Sequence, residues 1–184
     1  MSDKDAKDAV DAIVDQWGTE RPDLDLAALG VFGRLSRLFL VLAPALEEVF
    51  TRHGLRRGEF DVLAALRRSG EPYTLIPSEL ATTLMLSRAG MTNRLDRLEA
   101  AGLVARHLDP GDRRSFRVAL TDRGHEVVDA AVTDHVANES RLLSGLTPDE
   151  RATLDHALRV LLRELERPGA REDSGATATD RKPS

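Results

Sequence analysis

The sequence predicts a mainly α-helical fold with one small β-hairpin. Three observations carry this expectation. Apolar residues recur at helical spacing along most of the chain, and Pro and Gly interrupt that pattern at short intervals. Between residues 103 and 120 the apolar period drops from 3.6 to 2, around a Pro-Gly turn. The 184 residues suffice for one domain with a real core. Aromatic residues are only 4% of the chain, so Leu, Val and Ala must fill that core.

The first helix is expected over about residues 5–19. Val10, Ile13, Val14 and Trp17 share one face there, and Pro22 limits the helix. A second helix runs from about Leu29 to His53, with Gly54 as its stop. Residues 57–69 form a third. Ile76-Pro77-Ser78-Glu79 opens a short fourth helix with Pro at its first position. The fifth runs from about Arg88 to Ala101 and ends at Gly102.

Two extended runs follow, Leu103 to Leu108 and Ser115 to Leu120, around Asp109-Pro110-Gly111-Asp112-Arg113-Arg114. Helical signals resume at Thr121-Asp122, with Val127, Val128, Ala131, Val132 and Val136 turned inward. Thr147-Pro148-Asp149-Glu150 reads as a capping box, followed by Leu154, Leu158, Leu161, Leu162 and Leu165. Residues 167–184 hold no large apolar side chain and are expected to form a disordered tail.

A short helix, a tight turn, a second helix and a basic hairpin make a winged helix-turn-helix. The terminal helices carry more apolar surface than one small domain needs, so a two-fold dimer through them is expected. The chain then divides into an extra N-terminal helix and linker (1–28), dimerisation helices (29–56 and 121–166), a DNA-binding lobe (57–120) and a tail (167–184).

Composition excludes several functions. The chain has no cysteine, which removes thiolate nucleophiles, disulfides and Cys-ligated zinc, and fits a cytoplasmic protein. The longest apolar runs fall short of a membrane span, and the polar, acidic start is not a signal peptide. The five histidines form no metal-ligand spacing, and no nucleotide loop or nucleophile elbow occurs. No metal, no cofactor and no enzymatic activity are expected.

The net charge of −5 hides an uneven distribution. Residues 1–30 hold eight acids against three bases, whereas residues 86–120 hold seven arginines against four acids, a local +3. A basic patch on an acidic protein is a footprint for phosphate. On the fifth helix, Met91, Leu95 and Leu98 make a buried stripe. Ala89, Thr92, Asn93 and Asp96 lie opposite, with Arg88 and Arg97 at the edges. Small and amide side chains let a backbone approach base edges, and arginine reads guanine or neutralises phosphate. Ser87, Arg88, Thr92, Asn93 and Arg97 are therefore candidate contacts to double-stranded DNA. Arg113 and Arg114, at the hairpin tip, suit a narrow minor groove.

Three further residues stand out. Asp61 interrupts a nearly apolar stretch, Phe60 to Leu66, and is either a buried carboxylate in need of a partner or a first-turn acid facing water. Arg94 lies about 60° from the centre of its helix's buried stripe, placed to meet Asp61 or an anionic ligand, or to form a plain salt bridge. Trp17 reads as core or as one wall of a ligand site.

Residues 29–166 resemble the MarR family of dimeric winged-helix regulators. Pro77-Ser78-Glu79-Leu80-Ala81, the run from Ser87 to Val104, and Asp109-Pro110-Gly111-Asp112-Arg113-Arg114-Ser115 carry the likeness. The N-terminal helix with Gln16-Trp17, the run Gly58-Glu59-Phe60-Asp61-Val62-Leu63 and Met91-Thr92-Asn93-Arg94 resemble its urate- and trans-aconitate-responsive branch. That resemblance implies a ligand site at Trp17, Asp61, Arg94 and Arg106. It implies a repressor released from a pseudo-palindromic operator by a small anion such as urate, citrate or trans-aconitate. A ligand-independent DNA-binding or architectural dimer is the alternative. Two positions depart from the family's pattern. Arg88 stands where a small residue is expected, and Ile76 replaces a capping Ser or Thr, at a cost of about 1 kcal/mol.

Overall fold

The computed structural model describes residues 6–109, 111 and 116–167. Seven helices and three strands follow in chain order: α1 (Ala9–Glu20), α2 (Ala27–Arg52), α3 (Arg57–Arg68), β1 (Thr74–Leu75), α4 (Pro77–Thr83), α5 (Arg88–Ala100), β2 (Val104–Leu108), β3 (Phe116–Leu120), α6 (Asp122–Leu142) and α7 (Pro148–Leu165). The tip of the hairpin, with Pro110, Arg113 and Arg114, and the tail beyond Arg167 lie outside the described residues.

The core sits where helical periodicity places it. Phe60, Val62, Leu63, Ala65 and Leu66 of α3 pack with Leu80, Met91, Leu95, Leu98, Val104, Val118, Val128 and Ala131, all buried. Phe50 stacks on Phe60 with ring centroids 4.5 Å apart and brings the end of α2 into this cluster. An ion pair from Arg67 to Asp129 (2.7 Å) ties α3 to α6. Gly124 fixes a closer approach. A Cβ there would lie 2.9 Å from the carbonyl carbon of Leu103 and still nearer to its oxygen, so the first turn of α6 rests directly on the backbone that follows α5.

β2 and β3 form the expected hairpin, pairing from Val104–Leu120 to Leu108–Phe116. The sheet also has a third strand that the sequence did not suggest. β1 pairs antiparallel with β3, giving the order β1-β3-β2. Two residues are too few to show an alternating pattern, and only the partner strand defines them.

Helix ends follow local chemistry. Asp8 accepts the N–H groups of Val10 and Asp11 at the start of α1. At α4, Ile76 offers no side-chain cap; its own N–H donates instead to Glu79 Oε2 at 3.2 Å. The Thr147–Glu150 capping box forms as expected. Three helices end in the same left-handed motif, with an N–H reaching back five residues. Leu55 N–H donates to Phe50 O and Leu103 N–H to Leu98 O, each 2.9 Å, with Gly54 (φ 70°) and Gly102 (φ 69°) at the left-handed position. At the end of α4, Leu86 N–H donates to Ala81 O (2.9 Å) and Met85 N–H to Thr82 O (3.2 Å). Here the left-handed residue is Met85, at φ 52°. A side chain in this conformation costs about 1–2 kcal/mol.

α2 is the exception to a buried-core reading. Val31, Phe32, Leu38, Phe39, Leu40 and Val41 all stand exposed along it. By length and composition this helix is apolar enough to cross a membrane, which the run-length criterion missed because Arg34, Ser36 and Arg37 break every continuous run. At its N-terminal half, Arg34 binds Asp8 and Asp11 of the α1 region, with the closer contact at 2.6 Å.

The chain divides into two compact units, Met1–Asn138 and Glu139–Ser184. The first holds the winged lobe. The second holds the last turn of α6 and α7, and α7 has no buried residue.

Candidate functional site

α5 presents two surfaces. Met91, Leu95 and Leu98 are sealed into the core, as the wheel predicts. Ala89, Thr92, Asn93 and Asp96 face outward, with Ser87 leading into the helix. The Ser87 hydroxyl accepts the N–H of Gly90 at 3.2 Å, so it caps the helix on which Arg88 is the first residue. Helix N-terminus, small residue, Thr and Asn on one open face form a surface that a base edge or a phosphate can meet.

Arg97 is held from the opposite side. Its Nε donates to Glu59 Oε1 at 2.6 Å, while Glu59 Oε2 accepts the backbone N–H of Arg56 at 2.9 Å. Glu59 is only 7% exposed. Burial works against its charge, yet the hydrogen bonds from Arg97 and Arg56 hold its carboxyl below the usual range. Sequence reasoning did not single out Glu59. The signal was an acid three residues after the helix cap, where the first-turn N–H groups favour one.

One turn earlier on α5, Arg94 lies across the first turn of α3. A Cβ at Gly58 would sit 2.7 Å from Arg94 Nη2 and 2.8 Å from Cζ, so this glycine makes the room that the guanidinium occupies. Arg94 Nη1 is buried and has no hydrogen-bond partner among the described residues. A buried charged donor left unpaired is costly and calls for an explanation. Asp61, on the same helix as Gly58, is half-buried. Desolvation pushes its carboxyl above the usual range, against the pull of Arg57, Arg94, Arg68 and His135. Among the described residues Asp61 closes no direct ion pair with Arg94, so the two share a corner without neutralising each other.

The other two residues implied by the family resemblance have different surroundings. Arg106 Nη2 binds Asp96 Oδ1 at 2.6 Å, its Nη1 lies 3.3 Å from Glu99 Oε2, and its guanidinium stands 5.2 Å over the Phe116 ring. It ties the hairpin to the outer side of α5. Trp17 is 48% exposed near the end of α1. Its carbonyl accepts the N–H of Arg21, and the aromatic pairs among the described residues join Phe50, Phe60, Tyr73, His125 and His135 without it.

Comparison with known proteins gives a consistent picture. Residues 53–115 match the model of the MarR family. The HTH-type transcriptional regulator PecS of Dickeya dadantii is 44% identical over 158 residues, covering 86% of this chain and 93% of PecS. The transcriptional repressor MprA of Escherichia coli K12 is 32% identical, over 61% of this chain and 64% of MprA. Among solved structures, the MarR family regulator Sco3205 of Streptomyces coelicolor, in complex with DNA, superposes with a TM-score of 0.69 at 25% identity, over 78% of this chain and 90% of Sco3205.

Proposed function

This chain belongs to the MarR family of DNA-binding transcriptional regulators, which are not enzymes, and from that premise we propose that it is a homodimeric repressor released from its operator by a small organic anion. α5 is the recognition helix, entering the major groove with Ser87, Arg88, Thr92 and Asn93, and Arg97 at its edge. Arg113 and Arg114 of the wing reach the minor groove. Residues 57–120 are the DNA-binding lobe. Residues 29–56 and 121–166 supply the dimer contacts, with the apolar faces of α2 and α7 covered by a second copy.

One observation supports the effector reading: a buried guanidinium nitrogen on α5 with no hydrogen-bond partner among the described residues, on a side chain seated over Gly58 near the half-buried Asp61 carboxylate. An anion bound there gives Arg94 the partner it lacks. The same anion repels ionised Asp61. Both forces act between α3 and α5, so binding favours a displaced recognition helix. Two such helices must sit about 34 Å apart to read a palindrome, so a displaced form binds operator DNA less well by linkage.

The test is a fluorescence titration of the full chain with urate, citrate and trans-aconitate, with an inner-filter control for urate. Trp17 is the sole tryptophan, so any emission change reports on its surroundings. We expect saturable quenching with one of these anions, weakened at least tenfold by Arg94→Ala. Loss of the Asp61 charge by protonation removes a repulsion, so affinity should rise as pH falls toward the range where this raised carboxyl titrates. Asp61→Asn should keep DNA binding and flatten that pH dependence. If no anion produces a saturable change, and Asp61→Asn alters stability alone, the chain is a ligand-independent DNA-binding dimer.

A further inference from the structure

We propose that Met85 is an apolar contact to DNA, seated against a thymine methyl group in the major groove and adding to operator specificity. The first observation is conformational. The ends of α2, α4 and α5 use one left-handed motif, and glycine fills it in two of the three. Only at α4 does a bulky side chain occupy the position, at φ 52°. A residue held in a sparsely populated conformation points to a role that the rest of the fold sustains.

The second observation is exposure. Met85 is 91% exposed, the most open of the large apolar side chains among the described residues. The motif explains why: it sends Leu86 back toward the core and turns Met85 outward. Nothing in the fold benefits from that side chain.

The third is location. Met85 stands two residues before Ser87, the cap of α5, in the turn between α4 and α5. Thr82, Thr83 and Ser87, within three residues of it along the chain, are exposed and uncharged, and Arg88 follows as the first residue of α5. An uncharged, apolar tip offers nothing to a phosphate, whereas it can pack on the edge of a base pair. The thymine 5-methyl is the apolar group that the major groove displays. A flexible thioether adapts to such a contact at low cost in shape.

This inference rests on the reading of α5 as the recognition helix, and the experiment separates the two. Full-length protein is titrated against a duplex that it selects from a random pool, against random duplex, and against the selected duplex with deoxyuridine in place of thymine. Met85→Gly should melt higher than wild type, because the left-handed strain is relieved, yet bind the selected duplex about three- to fivefold more weakly. Its affinity for random duplex and its salt dependence should not change, since no phosphate contact is lost. Deoxyuridine at the contacted position should weaken wild type by a similar factor and leave Met85→Gly unaffected. Met85→Leu, which keeps an apolar tip, should bind within twofold of wild type. Unchanged operator affinity in Met85→Gly would overturn the proposal, and so would an equal loss on random duplex or a loss insensitive to deoxyuridine. Asn93→Ala is the control for α5: if it too binds like wild type, the recognition-helix reading fails. If it loses affinity while Met85→Gly does not, only the inference about Met85 fails.

Discussion

Gly124→Ala, in the first turn of α6, is expected to lower the melting temperature by about 5–10 °C. The added Cβ would stand 2.9 Å from the carbonyl carbon of Leu103, with the oxygen closer still. That obstacle is backbone, not a side chain that can swing away. Leu103 cannot retreat, because its N–H closes the end of α5 on Leu98 O and its carbonyl accepts the N–H of Thr121 at 3.2 Å. Overpacking of this kind costs about 1–3 kcal/mol, and the rigid surroundings place this case at the upper end. The gain of up to about 1 kcal/mol from replacing a helical glycine does not offset it. Gly145→Ala is the matched control. A Cβ there meets nothing within 4 Å, so its melting temperature should stay close to wild type. Thermal unfolding followed by circular dichroism decides both.

Glu59→Gln is expected to lower stability by about 1.5 kcal/mol at pH 7, at the low end for hydrogen bonds to charged groups because Arg97 keeps contact with solvent. Glu59 carries a depressed folded-state value, so its contribution is present above the unfolded carboxylate value and is lost as pH falls through the folded one. The gap between wild type and variant should therefore be full at pH 7 and close as pH drops below about 4.3. Denaturant unfolding across that range is the check; a gap that does not narrow as pH falls would contradict the assignment. The same change has an opposite effect on DNA. Without the Glu59 carboxylate, the Arg97 charge is no longer compensated on the side of α3. Binding to random duplex should strengthen, and the dependence of affinity on salt should steepen by about one phosphate equivalent.

Much of this was legible from residue types. The stripe of Met91, Leu95 and Leu98 and the opposite face of Thr92 and Asn93 follow from 3.6-residue periodicity alone, and the structure places both as the wheel does. The half-burial of Arg94 was readable from its angle to the buried stripe, and Asp61 stood out as an acid in an apolar stretch, but the direct pair that was one reading of them is not formed among the described residues. What escaped was decided by contacts distant in sequence. Glu59 and Arg97 are 38 residues apart, and no local pattern joins them. β1 exists because β3 offers it an edge. Arg106 could not be placed by sequence between an anion site and Asp96 on the neighbouring helix, since both are served by a cation on that strand. The strained turn at Met85 was invisible for the same reason: a methionine gives no sign of a left-handed backbone, whereas the glycines at 54 and 102 do.

In the proposed dimer, the uncovered leucines of α7 would tie this protein's integrity to its abundance. An 18-residue helix with no buried residue is marginal in water on its own. In the proposed dimer its order comes from a second chain, and so depends on how many chains are present. If that dimer also covers the α2 face, dilution acts as a denaturant, and apparent stability grows with the logarithm of protein concentration. A cell holding few copies would then hold partly frayed ones that bind no palindrome. Synthesis of the regulator would set its folded fraction as well as its number, so that repression switches on over a narrow range of copy number.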